Sequence, residues 1–261
     1  MQDRYENAVI SASDKDFDLT KDCTFGLTPG PDPCLEKWKS GTDAISRGVY
    51  ATNGGAVAYV MKSSVADKDA DVIILGAPGA FPGYFPGYSN YTLGDKRHWS
   101  WLILKGHTRN RAGTVKLVST DPRDMPNITF NNFAEGGEED LQALYEAVQW
   151  SRRAIADYIP IFGAFNEDWP GKKLQDETKI KQWLHDETWG HHASCTCPMG
   201  PEDDPMAVLD SKLKVRGVSG LRVVDASVFP RIPGFYIATA IYTMSQKASE
   251  MIIADANTAT A

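Results

Sequence analysis

The densest chemistry in the sequence lies in the run Trp189-Gly-His-His-Ala-Ser-Cys-Thr-Cys-Pro-Met-Gly200. Two histidines and two cysteines within seven residues suggest zinc ligation. Structural zinc sites space paired ligands two to four residues apart and repeat the pair further along the chain. Here His191 and His192 are adjacent, one residue separates Cys195 from Cys197, and His98, His107 and His185 supply no matching pair. No metal site is therefore expected. Taken singly, each histidine reads as an ordinary hydrogen-bonded residue. As a chemical group, however, an imidazole with an ordinary pKa of ~6.5 has a neutral, proton-accepting form at pH 7.

A second candidate, Ile73-Ile-Leu-Gly-Ala-Pro-Gly-Ala-Phe-Pro-Gly83, follows an apolar run and superficially resembles a dinucleotide phosphate loop. Its glycines are not spaced Gly-x-Gly-x-x-Gly, and Pro78 and Pro82 lack the amide donors that a phosphate cradle uses. The aromatic continuation through Tyr84, Phe85 and Tyr88 suits a packed lid or pocket wall. No Gly-x-Gly-x-x-Gly occurs anywhere in the chain.

These residues must be held by a scaffold. In the first half, residues 56–62, 70–76, 98–104, 113–119 and 127–130 have the apolar and β-branched enrichment of strands bounded by turns. Helix-length patterns do not alternate with them, which points to an antiparallel sheet and away from βαβ units. In the second half, apolar residues at 141, 144, 145, 148 and 155 predict a helix over 138–158, acidic at its start and basic near its end. Ile180, Trp183 and Leu184 predict another over 176–189, with Asp176 as N-cap. A third is predicted over 238–254, and 220–230 reads as a buried strand running into a turn.

Composition bounds the rest. With 42% apolar and 23% charged residues the chain has ordinary globular usage, so disorder and coiled coil are excluded for the whole of its 261 residues. No stretch approaches the ~18 uninterrupted apolar residues of a membrane helix. A net charge of −7 argues against a nucleic-acid partner. Cys23 and Cys34 flank a Pro/Gly-rich stretch, and either a small disulfide loop or two free thiols is compatible with it. The sequons Asn90-Tyr-Thr92 and Asn127-Ile-Thr129 occur about as often as chance provides. Met1–Glu6 lacks the basic start and apolar core of a signal peptide, and Asn257–Ala261 matches no peroxisomal or retention signal. No localisation is assigned.

The segment His192-Ala-Ser-Cys-Thr-Cys-Pro-Met199, followed by Asp210-Ser-Lys-Leu-Lys-Val-Arg-Gly-Val-Ser-Gly-Leu-Arg-Val-Val-Asp-Ala-Ser-Val-Phe-Pro230 and a helix to Ile253, resembles the C-terminal signature of the glucose-methanol-choline (GMC) flavin oxidoreductases. Gly113–Pro122, Asn127–Phe133 and the helix from Glu138 are similar to that family's substrate domain. Gln2-Asp3 resembles the Asn-Leu-Gln-Asp segment that closes its FAD-binding half. The resemblance covers essentially the whole chain but only the C-terminal part of the family.

It implies an α+β fold in which an antiparallel substrate-domain sheet is flanked by helices. It adds the C-terminal strand and helix of an incomplete FAD-binding domain. The expected boundaries are 1–190 for the substrate-binding domain and 191–261 for the active-site segment and closing strand and helix. The implied chemistry is FAD-dependent oxidation of a small alcohol, with His192 taking the hydroxyl proton while hydride passes to flavin N5. His191 takes a structural role. Asp225, Ala226 and Ser227 match the segment that approaches FAD, and Ile237 and Ala238 should face the flavin N1–C2 edge, where a helix N-terminus stabilises negative charge.

Two positions depart from the family pattern. The second catalytic position, usually His or Asn, falls on Tyr236, or on Phe235 if the turn shifts by one residue; nearby Arg231 would suit an acid substrate. Cys195 stands where Gly is common. Three readings follow: an alcohol oxidoreductase that works with an N-terminal FAD-binding half, a non-catalytic fragment or subunit needing a partner chain that carries that half, or a lyase or decarboxylase on the same fold.

Overall fold

The computed structural model describes residues 1–259, except the side chains of 158–162 and 259; positions 260 and 261 of the C-terminal stretch lie outside the described residues. Its elements are β1 (Tyr5–Ser13), α1 (Pro33–Ser40), α2 (Ala44–Arg47), β2 (Val57–Met61), β3 (Val72–Pro78), α3 (Tyr88–Gly94), β4 (His98–Lys105), β5 (Thr114–Lys116), β6 (Asn127–Thr129), α4 (Gly137–Phe162), β7 (Phe165–Trp169), α5 (Glu177–Glu187) and α6 (Ala238–Ala259). The architecture is α+β with an antiparallel sheet. Two compact units interleave along the chain. One comprises Met1–Tyr5, Lys105–Asp140 and Gly190–Ala261; the other comprises Glu6–Leu104 and Leu141–Trp189.

The second unit carries a five-stranded sheet in the order β2-β3-β4-β1-β7. β2 and β3 run antiparallel from Val57↔Gly76 to Met61↔Val72. β1 and β7 are antiparallel, with an irregularity between Ile10 and Ser11. The β-branched run Val72-Ile-Ile alternates between buried and half-buried positions, the period of a pleated strand. Gly76 is required there, because a Cβ would collide with Trp99, Trp101 and Val57. Ala8, Ile10 and Ala80, backed by Leu102 and Trp169, form one core cluster. In α4 the fully buried Ala143, Leu144, Ala147 and Val148 recur at helical spacing. The predicted α5 is present, with the Asp176 carboxylate accepting the Lys179 amide at 3.0 Å as N-cap.

Between β1 and β2 the chain makes an excursion in which α1, α2 and the 3-10 turn Gly48–Ala51 bury no residue. It is held by polar and covalent ties instead. Cys23 is disulfide-bonded to Cys34, deciding the choice the sequence left open. Asp32 accepts the Phe25 and Cys34 amides at 2.9 Å each and the Tyr50 hydroxyl at 2.5 Å. Burial pushes the Asp32 carboxyl up, but those hydrogen bonds outweigh it and hold the group at about 2.

In the first unit, β5 and β6 form a hairpin from Thr114↔Thr129 to Lys116↔Asn127. Leu209, Leu213, Val228 and Ala248 make its core, flanked by Met199, Val215, Met244 and Met251. Gly217 and Gly220 bend the chain at φ +73° and +77°, so the glycines of the signature serve turns that L side chains rarely adopt. Among the described residues, Gly220–Pro230 does not form a regular strand. Lys214 and Arg222 make an isolated bridge, and Asp225 caps a 3-10 turn at Ala226–Val228 by accepting the Ser227 amide at 2.7 Å. The short acidic side chain offers the backbone a turn in place of a ladder.

Candidate functional site

The residues singled out by the sequence lie in the first unit, where three backbone bonds join the two halves of the signature. Cys195 N donates to Ala226 O at 3.2 Å, Cys197 N to Ser227 O at 2.9 Å and Met199 N to Val228 O at 2.9 Å. Donors at alternate positions thus meet the three consecutive carbonyls of the Ala226–Val228 3-10 turn, which ties the His192 segment to the Asp225-Ala-Ser segment.

His192 is buried, 8% exposed, while its neighbour His191 is exposed. Their rings lie 4.0 Å apart. The His192 backbone N–H donates to the Asp3 carboxylate at 2.8 Å. Gly190 leads into this segment at a point where a Cβ would meet the Arg4 carbonyl and the Asp3 carboxyl, so the chain can pass only as glycine.

The Tyr236 ring lies 6.1 Å from the His192 ring in an edge-on arrangement. Tyr236 is 42% exposed and stands just before α6. Phe235 turns elsewhere: its ring sits where a Gly106 Cβ would be, 6.3 Å from His107. Arg231 is exposed. Of the two aromatic candidates in this turn, Tyr236 is therefore the one brought to His192. A cavity of about 630 Å³ opens beside it, lined by Met199, Leu213, Thr239, Thr243, Met244 and Lys247 among others. Ile237 is buried and Ala238 exposed at the start of α6. The first intrahelical bond runs from Ile241 N to Ile237 O at 2.9 Å, which leaves the amides of Ala238, Thr239 and Ala240 at the helix entry.

Cys195 sits in the left-handed region at φ +69°. Its thiol is pushed up by burial, and it contacts Gln2 Oε1 and Ser194 Oγ, each at 3.4 Å. The thiol is thus kept protonated at neutral pH, as a packed group. Sequence reasoning assigned no site role to Gln2, Asp3 and Arg4, although all three contact the His192 segment or the turn before Tyr236. Three polar residues near one end of a sequence carry no periodicity, and their burial becomes visible only in the fold.

The chain that carries this geometry matches a known family. A family model described as GMC oxidoreductase matches residues 108–245, and the chain belongs to the GMC oxidoreductase family. FAD is the cofactor of that family. The chain is 37% identical over 144 residues to an oxygen-dependent choline dehydrogenase of Vibrio vulnificus, a match spanning 54% of this chain and 25% of that protein. It is 37% identical over 148 residues to oxidoreductase cicC of Emericella nidulans, over 55% of this chain and 24% of that protein. Among solved structures it is similar to formate oxidase of Aspergillus oryzae, with a TM-score of 0.75 and 19% identity over 97% of this chain and 46% of that one. An FAD-dependent oxidoreductase of Chaetomium thermophilum gives a TM-score of 0.69 and 17% identity over 98% of this chain and 48% of that one. The chain thus spans under half the length of these proteins, and the structural likeness shows a shared fold.

Proposed function

We propose that this chain is the substrate-binding and base-bearing part of an FAD-dependent oxidoreductase that oxidises an alcohol. The observation that carries the reading is the approach of the buried His192 and the half-exposed Tyr236 rings to 6.1 Å at the entry of α6. The donors available there suit one end of the cofactor. Amides of Ala238, Thr239 and Ala240 at a helix N-terminus match the anionic edge of a flavin ring. Ile237 and the Asp225-Ala226 turn supply the neighbouring wall. The diphosphate end has no counterpart in this chain, which lacks Gly-x-Gly-x-x-Gly.

Bound FAD supplies the hydride acceptor. His192 accepts the hydroxyl proton of the alcohol at its imidazole. Tyr236, with a phenol pKa ordinarily near ~10, is a poor base at neutral pH and donates a hydrogen bond to the developing alkoxide oxygen. Burial of His192 limits the access of bulk water to its imidazole. The test is anaerobic flavin reduction by alcohol in the full-length enzyme. His192→Ala is expected to reduce flavin 10²–10⁴-fold more slowly, the span of general-base catalysis; a rate equal to wild type sinks the assignment.

A second observation favours dependence on another polypeptide segment. α6 leaves Tyr242, Ile252 and Ile253 exposed, with Tyr242 at 78%. An apolar face of this kind marks a surface that another element covers. We read it as the seat of the FAD-binding portion. This chain is expected to purify colourless alone and to become yellow when co-expressed with the N-terminal FAD-binding portion; flavin absorbance in the isolated chain overturns the dependence.

A further inference from the structure

Three consecutive residues that none of the proposed chemistry uses converge on both halves of the candidate site. Gln2 forms a two-way backbone bridge with Ser194, its N–H donating to Ser194 O at 3.0 Å and its carbonyl accepting Ser194 N at 2.9 Å. The Gln2 side-chain carbonyl then accepts the Ile232 amide at 2.9 Å and the Cys195 thiol at 3.4 Å. Asp3 accepts the amides of His192 and Arg4 on one carboxylate oxygen, each at 2.8 Å, and its backbone carbonyl accepts the Thr108 hydroxyl at 2.6 Å. Arg4 is fully buried, and its guanidinium donates to the Pro233 carbonyl.

The bonds sort into two sets. Gln2 and Asp3 hold 192–195, the segment that carries the imidazole. Gln2 and Arg4 hold 232–233, the turn that delivers Tyr236. A single tripeptide therefore fixes two segments that are some forty residues apart in sequence. Arg4 is fully buried and Asp3 half-buried, so losing the Pro233 or His192 contact leaves a charged group partly desolvated with one bond fewer.

We propose that Gln2, Asp3 and Arg4 are positioning residues that set the distance and orientation between His192 and Tyr236. The proposal rests on the reading of His192 as the base. Asp3 bonds the His192 backbone amide. It acts through the His192 main chain, and a displacement of about 1 Å at a base is worth on the order of 10²-fold in rate.

The test uses the full-length enzyme and reads kcat, KM, flavin content and melting temperature together. Asp3→Ala is expected to lower kcat on the order of 10–10²-fold with flavin content unchanged and KM nearly so, because substrate binding is left alone while its alignment with the base is lost. Asp3→Asn keeps an oxygen to accept the His192 amide and is expected to recover most of the lost kcat. Asp3→Glu keeps the charge but pushes the segment away by one methylene, so it should lose kcat while retaining flavin; it serves if Asp3→Ala does not accumulate. Wild-type kcat in Asp3→Ala or Asp3→Glu overturns the proposal. So does a parallel fall of kcat, flavin content and melting temperature that Asp3→Asn fails to restore, since that is the signature of a purely structural residue. The His192→Ala control separates the two ideas. If it is inactive while Asp3→Ala is fully active, the brace alone falls; if it reduces flavin normally, the base assignment falls and takes the brace with it.

Discussion

Cys195 adopts φ +69° at the position where a glycine is common in the family, beside the proposed base. The left-handed region raises an ordinary L residue by about 1–2 kcal/mol, and a β-branched one by more, because its second γ substituent meets the backbone. Cys195→Val is therefore expected to destabilise the folded protein by about 2 kcal/mol, while Cys195→Gly stays within about 1 kcal/mol as relief of strain offsets added unfolded-state freedom. Thermal melts of the two variants in the full-length enzyme check the ordering. A Cys195→Val melt at the wild-type temperature contradicts it.

Asp140 carries the clearest pH signature. It is fully buried, accepts the Arg109 amide at 2.9 Å and lies 3.5 Å from Lys105 Nζ. Burial pushes its carboxyl up to about 6, against the smaller opposing pull of Lys105 and Arg109. The folded state thus keeps a proton that the unfolded state releases between about pH 4 and pH 6. Stability from this residue is full below pH 4 and is lost as pH rises to 6, by roughly 3 kcal/mol at about 1.4 kcal/mol per unit. The expected result is that Asp140→Asn flattens the pH dependence of denaturant midpoints across that window. An unchanged slope contradicts the assignment.

Among the elements, the disulfide-linked excursion between β1 and β2 behaves differently from the sheet beside it. With no buried residue in α1 or α2, it depends on the Cys23–Cys34 bond and the Asp32 hub. Closing an eleven-residue separation contributes about 2–3 kcal/mol in the chain-entropy account. Cys23→Ser with Cys34→Ser is expected to abolish amide protection over 24–50 while protection of β3 and β4 persists, measured by hydrogen exchange. Uniform loss across the sheet contradicts this local dependence. The Asp32 contribution has the sign opposite to that of Asp140: its carboxyl is held low, so its stabilisation is present above about pH 4 and is lost as pH falls toward 2.

The same elements separate what sequence reasoning reads well from what it misses. β2, β3 and β4, α4, α5 and α6 follow from periodicity and capping, because one face is apolar and the ends carry turn or cap residues. β1 was not anticipated. Its buried run includes Glu6, Asn7 and Ser11, polar residues that obscure the apolar alternation of a strand. β7, Phe-Asn-Glu-Asp-Trp, alternates so briefly between two aromatics that nothing distinguishes it from a loop. α1 to α3 are short, and their apolar faces are not buried, so the pattern that reveals a helix is missing. In the signature region the motif points to His192 as a candidate and its register to Tyr236 or Phe235; the approach of Tyr236 to His192 comes from a fold that a linear pattern does not contain.

For the molecule as a whole, the family match runs over residues 108–245 and the chain spans under half the length of the related proteins. No helix among the described residues is long and apolar enough to cross a membrane. The unit carrying the candidate site draws on three separated stretches of chain. Its brace is made by Gln2, Asp3 and Arg4 with partners as distant as Asn110, His192 and Pro233. Such contacts have a temporal cost. At the usual 5–20 residues per second, roughly 10–50 s separate synthesis of Asp3 from synthesis of Pro233. Over that interval residues 2–4 lack the part of the brace that 192–195 and 232–233 supply. The brace therefore closes only after Pro233 has been made. A change in the 232–233 turn would therefore be felt as a failure to capture residues 2–4.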